Sequence, residues 1–213
     1  MTRYYLEPLD AWVEAKPDHY YHPSGEVHNL IAWTCGVYQM RRGTTKGLEK
    51  FLLGNGLPAT PTEPHNKAGL CLVFSMHKSS LGHGLEETHV HTAYQQTPYW
   101  RTTLDAAVHE SAHAALSIGG LAALVPIILT PQTTSEMKRL GLVPDFEHYA
   151  QVLQRDPKSE KPQLMEEFLC QLAAYSVQAR KGLRVSMRLA NDPEEASLSM
   201  YNPDNDSLVV NLF

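Results

Sequence analysis

Cysteine is scarce in this chain of 213 residues: Cys35, Cys71 and Cys170 are widely spaced and form no CxxC pair. An odd count at such spacing argues against a disulfide framework and for reduced, packed thiols, which favours a cytoplasmic setting. An excess of positive charge is lacking too. Lys and Arg number 18 against 23 Asp and Glu, and the net charge of -5 gives no general attraction to nucleic acid. The longest uncharged apolar run, Ala114 to Leu129, has 16 residues and is broken by Gly119, Gly120 and Pro126. Crossing a bilayer takes about 20 residues, so the run reads as buried core and no membrane partner is expected. The amino-terminal stretch MTRYYLEPLDAWVEAKPDHYY has acids and prolines where a secretion signal would need an unbroken apolar region. A phosphate-cradling GxxxxGK[ST] loop, internal repeats and low-complexity runs are all absent from the sequence.

What is present divides into a less legible front and a sharper back. SGEVHNLIAWTCGVYQM (24–40) and TTKGLEKFLLGNG (44–56) read as two short helices, followed by the proline-rich connector LPATPTEP. AGLCLVFSM (68–76) and THVHTAY (88–94) have the β-branched or alternating character of strands, joined by a turn containing SSLGHG. TTLDAAVHESAHAALSIGG (102–120) offers a threonine cap, an early acid, an alanine-rich body and a double-glycine stop, the clearest helix in the chain. LVPIILTP (124–131) is expected as a short buried strand and DFEHYAQVLQR (145–155) as a helix. LMEEFLCQLAAYSVQARKG (164–182) reads as an amphipathic helix with Leu164, Phe168, Leu172 and Tyr175 near one face and Gly182 as its stop. A last short helix is expected from ANDPEEASLSMY (190–201), before a polar tail.

The most informative letters are HESAH, residues 109–113. Residues four apart share a helix face, with Cβ atoms about 5–6 Å apart, so His109 and His113 can direct two imidazole nitrogens at one Zn2+ ion. Glu110 then points beside the metal, where it can serve as general base toward a zinc-activated water. Such five-residue matches also arise by chance on surface helices. Here the flanks are small and apolar (Ala106, Ala107, Val108, Ala112, Ala114, Ala115, Leu116), and two histidines and a glutamate without partners would be costly in a core.

A hydrolase of this kind needs a third protein ligand and one open position. AALSIGGLA follows His113, which excludes the continuation with a third nearby histidine. Glu166 and Glu167, on the later helix, would complete a gluzincin-like set, and Asp192 is an acidic alternative further on. His148 reads better as a solvent-facing residue at a helix start. Asp192 could equally belong to a capping box, with Pro193 at the first helical position and Glu195 two residues later.

From about residue 103 to 201 the chain resembles the peptidase domain of the FtsH-type, membrane-associated AAA metalloproteases. The zinc helix of that family typically reads HEAGHA, and HESAHA stands here at 109–114; the family's SNDLERAT stretch has its counterpart in ANDPEEAS at 190–197. The resemblance implies His109, His113 and Asp192 as zinc ligands and Glu110 as base. It departs from the family at Ala112, where a glycine is usual, and at QLAAYSVQA, which replaces GGRxAEE. The ATPase module is missing as well, so a substrate needing no unfolding or a separate partner protein is implied; homo-oligomer formation is left open.

The front half also holds His19, His22, His28, His65, His77, His83, His89 and His91. His89 and His91 share one face of a strand and suggest a second metal site, but polar strand or loop histidines are the simpler reading; the 88–94 strand is also a candidate wall of a substrate groove. The expectation is therefore an α+β, zincin-like protein with a small β-sheet. Residues 1–100 form an amino-terminal region packed on a predominantly helical catalytic part, 101–213. Its expected activity is zinc-dependent hydrolysis of a protein or peptide substrate. A non-catalytic zincin-like binding or inhibitor protein is the alternative from another class.

Overall fold

The computed structural model describes residues 1–26, 69–78, 85–94, 99–143, 145–154, 161–189, 201–202 and 207–210. It is a mixed α+β arrangement of helices with small sheets. An antiparallel hairpin comes first, β1 (Arg3–Leu6) and β2 (Ala11–Glu14), joined through a 3-10 turn over Glu7–Leu9. Next in the chain are β3 (His19–Glu26), β4 (Gly69–Lys78) and β5 (Leu85–Tyr94), which form a sheet in the order β3-β5-β4. β3 runs parallel to β5, with Tyr20 opposite His89 and His22 opposite His91, and β4 is antiparallel to β5.

Among the described residues five helices follow: α1 (Trp100–Gly119), α2 (Leu121–Ile128), α3 (Pro131–Arg139), α4 (Phe146–Gln154) and α5 (Lys161–Arg180). A second small sheet, β6 (Ser186–Leu189), β7 (Tyr201–Asn202) and β8 (Ser207–Val210), has the order β6-β8-β7.

α1 is the hub, in contact with α5, α2 and all three strands of the first sheet. Its alanines are the reason: Ala106, Ala107, Ala112, Ala114 and Ala115 are buried, and their small side chains let neighbouring backbones close in while keeping high helix propensity. α1 and α5 run antiparallel, because Gln178 near the end of α5 donates to Asp105 early in α1 (3.1 Å) while Glu166 near the start of α5 meets His113. The same logic of close approach fixes Gly119. A Cβ there would lie 2.6 Å from the Cβ of Ala123 and 2.9 Å from the carbonyl oxygen of Glu14, so only glycine lets β2 cross the end of α1.

The core is one cluster drawn from both halves of the chain, from Leu6, Leu9 and Val13 through Val90, Val108 and Ile118 to Phe168, Leu172 and Met187. α5 is its centre. Every residue from Phe168 to Gln178 is buried, so the helix is enclosed on all sides rather than amphipathic. Its buried polar atoms are used to tie neighbours: Ser176 Oγ donates to the carbonyl of Ile127 at 2.6 Å, which satisfies one of the last carbonyls of α2.

Several expectations need correction. LVPIILTP is not a strand: residues up to Ile128 are the second half of α2. Buried Leu124, Ile127 and Ile128 lie at helical spacing, and Pro126 is accommodated inside a helix of 8 residues. Short apolar runs carry no decisive period, and packing against α1 and α5 decided this one. The threonine cap of α1 is also absent, since the helix starts at Trp100 and Tyr99 occupies the cap without a side-chain bond. Asp105 is buried on Gln178 instead of sitting in the first turn. The tail is not merely polar, because Ser207–Val210 form the middle strand of the second sheet. Of the expected helix over 24–40, residues 24–26 belong to β3 and the rest lies outside the described residues, as does the whole of 44–56. The helix expected over 190–201 lies outside them too, apart from Tyr201 in β7. Among the described residues no helix is long and apolar enough to cross a membrane.

Candidate metal centre

α1 places His109 and His113 one turn apart on the side that faces the first turns of α5, where Glu166 and Glu167 stand. Two imidazole nitrogens and the two oxygens of one carboxylate converge. His109 Nε2 is 3.1 Å from His113 Nε2 and 2.9 Å from Glu167 Oε2, and His113 Nε2 is 3.4 Å from Glu167 Oε1. Ligands about 2.0–2.1 Å from a tetrahedral zinc ion are about 3.3 Å from one another, so the three separations suit one metal position.

The neighbouring acid takes a different part. Glu166 Oε1 lies 2.7 Å from His113 Nδ1. With the neutral ring donating its Nδ1–H to that carboxylate, the Nε2 lone pair is left for a metal, the usual outer-shell arrangement around a metal-binding histidine. His109 has no such support: its Nδ1 is buried without a hydrogen-bond partner among the described residues.

The electrostatics agree with a carboxylate in ligand form. Burial pushes Glu167 upward, but hydrogen bonds and charge interactions with His109 and His113 outweigh it and hold the carboxyl far below the usual range. Burial alone would lower His113, yet Cys170, Glu166 and Glu167 together raise it well above its ordinary value. Burial pushes the Cys170 thiol up to about 11, with His113 pulling against the shift. Cys71 on β4 is likewise raised by burial, with His113 lowering and Glu110 raising it. Both thiols are thus neutral at pH 7, and Cys170 shares a hydrogen bond with His113.

Exposure is uneven. The histidine side chains are each 13% exposed while that of Glu167 is 44% exposed, so the cluster opens to solvent on its α5 side. The residues present fit a metal ion: two imidazoles and one carboxylate are the donor set of one well-known class of catalytic zinc sites, and one face remains accessible.

Glu110, next to the first histidine, is half-buried and turned toward the sheet. A Cβ on Gly69, the first residue of β4, would lie 2.5 Å from Glu110 Cγ and 2.7 Å from Oε1. The glycine therefore makes room for this glutamate at the start of a strand that is an edge of the sheet among the described residues.

The structure thus brings together His109, His113 and Glu167 with Glu166 behind them and Glu110 alongside. Asp192 lies outside the described residues. His148 is exposed on α4 and is not part of the cluster; its backbone N–H is capped by Asp145 Oδ1 at 3.0 Å. The bond of Cys170 to His113 is not visible in the cysteine spacing, because it depends on α5 meeting α1. β5 is the central strand of its sheet with both edges paired, so an extended peptide cannot be added to it as a further strand.

Compared with protein-family models, with curated proteins and with solved structures, the chain matches none.

Proposed function

We propose that this protein is a zinc-dependent metallopeptidase with a zincin-like catalytic half, in which His109, His113 and Glu167 hold the metal and Glu110 is the general base. The observation that carries the reading is the convergence of two imidazole nitrogens and one carboxylate, from two different helices, at mutual distances of 2.9, 3.1 and 3.4 Å. A bound zinc ion would supply a Lewis acid that polarises a scissile carbonyl and makes water a usable nucleophile near neutral pH.

The chain's own residues account for the rest of the chemistry. The Glu110 carboxylate takes a proton from the attacking water and returns it to the leaving amine nitrogen. The edge of β4 gives an extended peptide a strand to pair with, passing Gly69 and hence Glu110. Peptides N-methylated along the backbone should then bind more weakly than their parents; equal affinity would remove strand pairing from the reading.

Glu167 in place of Asp192 makes the ligand set gluzincin-like. The FtsH-type resemblance, with Asp192 as ligand, stands as the competing assignment. Zinc analysis of purified Glu167→Ala and Asp192→Ala separates them: loss of metal only in the first supports Glu167, and loss only in the second supports the FtsH-type set. Glu110→Gln is expected to keep its zinc and lose peptide hydrolysis. A fully active Glu110→Gln chain would remove this mechanism, and zinc held without hydrolysis of any peptide by the wild type would favour a binding protein.

A further inference from the structure

A second group of histidines lies on the first sheet, apart from α1. In the parallel pairing of β3 with β5, His22 stands opposite His91, and His89 follows on the same face two residues before His91. Tyr21, Val90 and Thr92 alternate with them and point to the other face. There the hydroxyl of Tyr21 meets Thr92 Oγ1 at 2.9 Å and also bonds Ser111 of α1. The three histidines are therefore on the side of the sheet away from the helix that carries His109 and His113.

They form a cluster rather than three separate side chains. His22 Nε2 is 2.9 Å from His89 Nδ1. The ring of His22 lies nearly parallel to that of His91, with centroids 4.4 Å apart and planes at 11°, and nearly parallel to that of His89 at 5.2 Å and 10°. One nitrogen from each ring falls within 4.8 Å of the other two. Glu87 Oε2 lies 3.4 Å from His89 Nε2, on the far side of the ring, where a carboxylate directs the Nδ1 lone pair into the cluster. His91 is only 6% exposed, so one donor is already held in place by its surroundings.

We propose that His22, His89 and His91 form a second metal site, a three-imidazole centre on β3 and β5 for a divalent transition ion of the zinc and copper class. The donor set decides the class of ion: three imidazoles without a thiolate or a direct carboxylate suit Zn2+ or Cu2+ and give little hold on Mg2+ or Ca2+. A metal lies in the plane of each imidazole that binds it, so the stacked rings have to turn about their second torsion to converge on one ion. Ligands of one zinc ion lie about 3.3 Å apart, so no separation in the cluster has to contract by more than about 1.5 Å, within the range of the broad second torsion of histidine. Three protein donors leave a fourth position for water or another ligand. The ion would also fasten β3 to β5, two strands whose parallel pairing joins distant parts of the chain.

Zinc stoichiometry of the full chain tests the site, measured by equilibrium dialysis and elemental analysis with Zn2+ as the probe. The wild type is expected to bind two equivalents, and His22→Ala and His89→Gln one each, with the far-UV circular dichroism of the wild type. His109→Ala should also fall to one equivalent, and its remaining zinc should disappear on adding His22→Ala. A reading that needs no variant is the rate at which diethyl pyrocarbonate modifies His22 and His89 in the wild type, which Zn2+ should slow several-fold. A wild-type chain whose zinc is unchanged by His22→Ala and His89→Gln, or whose His22 and His89 react at the same rate with and without Zn2+, overturns the proposal. Failure at His109 alone would instead count against the α1 site.

Discussion

Glu166 and His113 are joined at 2.7 Å through the ring nitrogen that faces away from His109. Adjacent acids on α5 therefore have unequal tasks, Glu167 meeting the nitrogens that converge and Glu166 orienting one of the rings. Glu166→Ala should keep the site and weaken its zinc affinity about 10- to 100-fold, as loss of an outer-shell partner does. Glu167→Ala should lose metal more severely. Competition titration with a chelating dye checks both, and equal losses would erase the distinction.

Gly69 makes room for Glu110, since a Cβ there would lie 2.5 Å from Glu110 Cγ. Gly69→Ala should displace the glutamate without touching any metal donor. Peptide turnover is expected to fall by about 100-fold, the scale of an ångström of misplacement, with zinc content unchanged. Full activity in this variant would show that Glu110 is not held by β4.

Glu136 links α3 to β6. It accepts from Arg139 at 2.9 and 2.7 Å and from the backbone N–H of Met187 at 2.9 Å, and Arg139 also donates to the carbonyl of Met187. Hydrogen bonding to Arg139 lowers its carboxyl below the ordinary value, against the upward push of burial. A group depressed in the folded state contributes stability above its unfolded value, near 4.3, and loses it as pH falls through the folded one. With Arg139 more than half exposed, solvent screens the pair, so Glu136→Gln should cost about 1 kcal/mol at pH 7, and the gap in melting temperature from the wild type should shrink as pH falls below about 4.3. A gap that widens in acid would contradict the assignment.

Phe168 is fully buried and meets the ring of Tyr149 edge-on at 5.5 Å, joining α5 to α4. Phe168→Ala should lower stability by about 3–5 kcal/mol in chemical denaturation. A loss below about 1 kcal/mol would mean that the centre of α5 repacks freely.

The parts of this fold legible in the sequence are those with a local signature. HESAH carries its own helical spacing, and the strands at 69–78 and 85–94 carry theirs. α5 reads as amphipathic from its apolar spacing, yet its polar Gln171, Ser176 and Gln178 are buried as well. α2 was lost to proline and to a run too short to show a period. α3 carries a local start signal in its Thr130 cap, accepting from Thr133 N at 3.2 Å, and the proline that follows it. For the site, two histidines and two candidate acids could be named, but dividing the acids into ligand and support requires knowing how α1 and α5 are rotated against each other. The histidines of β3 and β5 needed a pairing register between distant segments, which no local pattern supplies.

The hydrogen bond from Arg180 to the carbonyl of Leu9, 3.0 Å long, closes a gap of 171 residues in sequence. During synthesis at about 5–20 residues per second, the hairpin that contains Leu9 is complete roughly ten to thirty seconds before Arg180 has been made. Chains halted before residue 100 have neither α1 nor α5 for the hairpin to lie against, so they should be cut readily by protease within residues 3–14, and protected ones would disprove this. The hairpin is thereby made long before the helix that secures it, and its apolar residues Leu6, Leu9 and Val13 stay open to chaperones until α5 has been made.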